Sequence, residues 1–91
     1  MTDVTERDIN RGEHALRLMR DELLVEAFQI IEQDLIEKWQ TSPARDKEAR
    51  ETLYLSQMLL KRLQNQLELV IETGQIAKAT LAQRVKQSLL R

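Results

Sequence analysis

Pro43 is the only proline in the chain, and a long helical pattern of apolar residues runs away from it on each side. Before it, Leu16, Met19, Leu23, Ala27, Ile30, Leu35 and Trp39 recur at steps of three to five residues, and Leu24, Phe28 and Ile31 widen the stripe. Arg17, Arg20, Glu22, Glu26, Glu32 and Glu37 fall on the other side. That period is the mark of an amphipathic helix. Glu13–Arg17 and Asp34–Lys38 are acid-first pairs one turn apart, the favourable order for a helix surface. The spacing predicts one helix over residues 8–40. Asp21 offers an alternative, because an N-cap there would make Ile9–Arg20 a distinct short helix.

Beyond the proline, Ala49, Leu53, Leu60, Leu63, Leu67, Val70 and Ile71 form a second stripe, broadened by Leu55, Met58 and Leu59, with Tyr54 at its edge. It predicts a helix over residues 46–73. Gly74 follows the last periodic residue, the place for a C-cap glycine. Residues 41–45 read as the turn between the two. Ser42 before Pro43 suits an N-cap with proline at the first helical position, and Asp46 is a second candidate cap. A short connection makes the helices antiparallel neighbours. Past Gly74, Ile76, Ala79, Ala82 or Gln83, Val85 and Leu89 carry a thinner stripe. That segment either continues the second helix past a kink or forms a separate basic helix over 75–91, and the separate helix is the reading adopted.

The expected fold is therefore all-α. It is a long antiparallel helical hairpin plus a short C-terminal helix, in a single domain over 1–91. Composition agrees: aromatic residues are only 3%, with two glycines, which leaves little for sheets and their turns. Each hairpin helix would be roughly 45 Å long at a rise of 1.5 Å per residue. Its apolar face is wider than one seam. Self-association into an oligomeric helical bundle is the expected remedy, through Leu53, Leu60, Leu63 and Leu67. The alternative is that the third helix covers the strip within one chain.

Little in the chain suggests catalysis. There is no cysteine and a single histidine, His14, so disulfides, thiolate chemistry and a zinc site of several Cys or His ligands are not expected. Ser42, Ser56 and Ser88 lack the strand-to-helix elbow that presents a nucleophile. Gly12 and Gly74 stand alone and make no phosphate loop. Glu32, Asp34 and Glu37 point at different angles from their helix. The expectation is a non-enzymatic protein without cofactor or metal. The start "MTDVTERDIN" has no basic-then-apolar pattern, and no apolar run is long enough for a membrane span.

Charge is unevenly placed. Residues 1–40 carry ten acidic and five basic side chains, whereas residues 73–91 carry Lys78, Arg84, Lys86 and Arg91 and no acid. Such polarity speaks of partners rather than fold. The basic end is a candidate docking element for an acidic protein surface. A solvated helix end ranks second, since cations favour helix C-termini, and nucleic acid ranks third, because no aromatic residues or recognition motif accompany the four charges. Trp39, the only tryptophan, is either a plug closing the hairpin end or a partner anchor.

The run "RGEHALRLMRDELLVEAF…EKWQTSPARDKEARETL…LKRLQNQLELVIETGQIAKATL" resembles a group of small helical proteins of tailed bacteriophages. The resemblance spans roughly residues 10–81 and is carried by Arg11, Gly12, Ala15, Ala27, Phe28, Trp39, Asp46, Arg50, Gly74 and Ala77. It implies a viral origin, hence the cytoplasm of an infected bacterium or the virion, and transfers no catalytic residue. The expected function is protein–protein contact in virion assembly or DNA packaging, with the chain itself and another phage or host protein as partners. A nucleic-acid-binding packaging module and a host-directed inhibitor are the alternatives.

Overall fold

The computed structural model describes residues 4–90, which form three helices: α1, Val4–Arg20; α2, Glu22–Thr41; and α3, Lys47–Leu89. No strand occurs among the described residues. The all-α expectation holds, but its helix boundaries change in two places.

The helix expected over 8–40 is two helices. Asp21 stands between them with an extended ψ of 121°, and its carboxylate accepts the Leu24 N–H at 3.0 Å. An aspartate in this role satisfies a donor that the first turn of a helix otherwise leaves orphaned, worth about 1 kcal/mol. Glu22 in the first turn adds favourable charge at the positive end of α2.

The second change is larger. The helix expected to stop at residue 73 does not stop, and no separate helix begins at 75. α3 runs unbroken through Gly74 for 43 residues, roughly 65 Å at 1.5 Å per residue. Gly74 does not adopt a positive φ, so it is no left-handed cap. It is buried, and so is Gly12 in α1. A Cβ built on Gly12 would lie 2.8 Å from the Gly74 Cα and 3.2 Å from the Val70 carbonyl oxygen. A Cβ on Gly74 would lie 2.8 Å from the Gly12 Cα and 2.9 Å from the Asp8 oxygen. The two backbones therefore touch. Ala15 and Ala77, each one turn beyond its glycine, are 4% and 8% exposed. Two Gly-x-x-Ala patches form this crossing, and its close packing offsets the ~1 kcal/mol that a mid-helix glycine costs.

The chain divides into two compact units. One unit comprises residues 1–19 and 66–91 and contains the glycine crossing; the other comprises residues 20–65. In the second unit α2 and the first part of α3 lie side by side and antiparallel. Trp39 meets Arg50 near the turn, and Glu32, Leu35 and Ile36 face Gln57, Leu60 and Gln64 farther along.

The turn is displaced by about one residue from 41–45. Ser42 closes α2 instead of opening α3: its backbone N–H and its hydroxyl both donate to the Trp39 carbonyl, at 3.3 and 2.7 Å. Asp46, the second candidate, is the cap of α3 and accepts the Ala49 N–H at 3.2 Å.

Gly12→Ala and Gly74→Ala are each expected to lower stability by about 1–3 kcal/mol, because overpacking at a backbone crossing outweighs the better helix propensity of alanine. Urea denaturation measures this. Unchanged or raised stability in both variants would contradict the crossing.

Candidate partner-binding surfaces

The residues expected to carry contacts fall into three environments. The first is the turn. The Arg50 guanidinium lies 4.0 Å from the centre of the Trp39 ring. The same guanidinium donates to the Ser42 hydroxyl at 2.9 Å and to the Ser42 carbonyl at 3.4 Å. Trp39 and Arg50 are both half-buried. Planar guanidinium suits this dual task of stacking on a ring while donating sideways. Trp39 thus packs against Arg50 at the end of the α2–α3 pair. Ser42 is fully engaged there, and Ser56 donates to the Thr52 carbonyl at 2.8 Å.

The second environment is the stripe expected to drive self-association. Leu53, Leu60 and Leu67 are half-buried and share one side of α3, at seven-residue spacing. Leu60 lines the seam with α2, alongside Leu35 and Ile36. Leu60 therefore packs within the chain, while Leu53 and Leu67 keep part of their surface open. Leu63 alone of the four is exposed, at 51%.

The apolar residues left open are others. On α3 a groove of about 610 Å³ is lined by Leu55, Met58 and Leu59 together with Lys61, Arg62 and Asn65. On α2 a second concavity is lined by Glu26, Gln29, Ile30, Gln33, Asp34 and Glu37. Leu23, Ile30 and Ile31 are exposed beside it. Both helices of this unit thus carry apolar residues on more than one side. The signal was in the sequence, since Leu55, Met58 and Leu59 broaden the α3 stripe; only the structure shows which side α2 occupies.

The third environment is the basic end of α3. Lys78, Arg84 and Lys86 are exposed, and Arg91 lies outside the described residues. Val85 and Leu89 are 52% and 82% exposed, so this part of α3 does not fill a core of the described chain. Its anchored portion ends at Ala77, not at Gly74.

Among the described residues no group of three or more His, Cys, Asp or Glu side chains is placed to hold a metal ion. None of the helices is long and apolar enough to cross a membrane. The open grooves are shallow faces of single helices, suited to covering by another helix rather than to enclosing a small molecule.

Two neighbouring substitutions separate the two kinds of apolar position. Leu60→Glu is expected to destabilise the α2–α3 pair by about 2 kcal/mol or more, since it places a carboxylate in the seam. Leu59→Glu is expected to leave helicity intact, since Leu59 already faces outward. Circular dichroism through urea denaturation distinguishes them. Equal loss in both would contradict the assignment of faces. Arg50→Lys keeps the charge but loses the stack and the fork, and is expected to cost about 1–2 kcal/mol, read by fluorescence of Trp39.

No protein-family model, no curated protein and no solved structure matches the chain, so its function is read from these surfaces.

Proposed function

We propose that the chain is a non-enzymatic assembly protein of a bacteriophage that acts by protein–protein contact, as a homo-oligomer, in virion assembly or DNA packaging. The observation that carries the contact role is uncovered apolar surface. Among the described residues the hydrophobic side chains classed as buried are two alanines, Ala15 and Ala77, while Leu23, Leu59 and Ile76 are each at least two-thirds exposed. Apolar surface on this scale marks an interaction site. The phage setting rests on the resemblance carried by residues 10–81.

In this reading Leu55, Met58, Leu59 and Leu63 meet protein, and the basic end of α3 docks on an acidic surface through Lys78, Arg84, Lys86 and Arg91. Trp39, stacked under Arg50 and half-buried, packs at the hairpin end and keeps an open part that a partner can meet. The same basic end supports a second reading, a nucleic-acid-binding packaging module, because residues 73–91 hold no acid to repel phosphate.

Sedimentation equilibrium at micromolar concentration tests the first reading, with a mass above the 10.7 kDa monomer expected. A stable monomer across that range would overturn the homo-oligomer. Reversing Lys78 and Lys86 to Glu is expected to weaken partner binding without changing this mass. Duplex DNA binding that falls steeply with salt and disappears in the same variant would favour the second reading. From infected cells, capture of capsid or portal supports assembly, and capture of a bacterial enzyme would instead indicate a host-directed inhibitor.

A further inference from the structure

We infer that the α3 groove lined by Leu55, Met58, Leu59, Lys61 and Arg62 receives the outer face of α2 from a second copy of this chain. The inference rests on the homo-oligomer proposed above and adds the pair of faces that meet.

Three observations lead to it. Both faces belong to the same compact unit, residues 20–65. Each is apolar at its centre and charged at its edge, the usual composition of an interface core and rim. The charges have opposite sign. Lys61 and Arg62 flank the α3 groove, and no acid lines it. Glu26, Asp34 and Glu37 surround Ile30 on α2, and no base lines that concavity.

Like faces cannot pair as well. Two α3 grooves brought together would oppose Lys61 and Arg62 to their own copies, and two α2 faces would oppose Glu26 and Glu37 to theirs, since Asp34 is paired with Lys38. Like charges placed together across an interface disfavour that pairing. A contact of α2 with α3 avoids both clashes. Made reciprocally, it gives a closed two-fold arrangement in which each copy contributes one face of each kind. Two α2–α3 pairs would then form a four-helix bundle around the apolar residues now exposed.

A charge-exchange experiment tests the pairing. One variant carries Lys61→Glu and Arg62→Glu; the other carries Glu26→Lys and Glu37→Lys. Asp34 is left in place because its carboxylate pairs with Lys38 at 2.9 Å within the helix. Each variant alone opposes like charges in both contacts of the pair, and its dissociation constant is expected to rise at least about tenfold. An equimolar mixture restores opposite charge in both contacts and is expected to return to twice 10.7 kDa by sedimentation, with wild-type affinity. A single chain bearing all four substitutions should recover likewise. Circular dichroism of each variant checks that the helices remain.

If the wild-type chain associates but neither the mixture nor the four-substitution chain recovers, this pairing is overturned and the homo-oligomer stands. The pairing is overturned in the same way if either two-substitution variant associates as tightly as the wild type. If the wild-type chain is itself monomeric, the homo-oligomer falls and the pairing falls with it. Recovery confined to the mixture and the four-substitution chain would be hard to obtain from any other pair of faces.

Discussion

A helix with apolar residues on two sides needs two neighbours, and in the unit formed by residues 20–65 each helix has one. Burial of apolar surface is the main favourable term in folding, roughly 25 cal/mol for each Å² removed from water. α2 and α3 bring Leu35, Ile36 and Leu60 together in their shared seam. The seam leaves Leu23 and Ile30 on one helix, and Leu55 and Leu59 on the other, more than half exposed. The polar devices in this unit set the geometry of the pair rather than replace that missing burial. Asp21 and Asp46 start the helices, Ser42 ends α2, and Arg50 bridges the turn to Trp39.

The other unit solves a different problem with different chemistry. α1 is 17 residues long and meets α3 where both helices present glycine. With no Cβ between them, the backbones make contact over a short length. A side chain at Gly74 would collide with the α1 backbone, so glycine there serves the approach of the two helices and does not end α3. Beyond Ala77 the helix keeps its hydrogen-bond ladder while Val85 and Leu89 stay exposed. Unbroken helix with an uncovered apolar and basic surface is a form suited to meeting a partner.

Much of this architecture was legible in the residues, but one kind of signal was ambiguous. Apolar period alone identifies the helical segments on both sides of Pro43. Aspartate caps were readable as candidates at Asp21 and Asp46, yet period cannot say whether a cap is used, because an aspartate also tolerates a helix surface. Gly74 shows the same ambiguity more sharply. A glycine at the end of a periodic run looks alike whether it ends a helix or admits another backbone. The clue that separates the cases is repetition: Gly12 and Gly74 are each followed by alanine one turn later, at Ala15 and Ala77. Among the leucines, sequence marks a wide stripe but not which edge faces inward. Leu60 and Leu59 are adjacent in the chain, and one lies in the seam while the other lies in water. The Arg50–Trp39 stack was hidden because its partners belong to different helices and meet only once the turn has formed.

If a second copy covers the open faces, folding and association are one equilibrium, and stability must depend on how much protein is present. Thermal unfolding followed by circular dichroism, over a roughly hundredfold range of protein concentration, tests this most directly. The expected result is a Tm that climbs steadily with concentration. A Tm that stays constant across the range, with a sharp cooperative transition, would mean that one chain completes its own fold, and would contradict a fold completed by association.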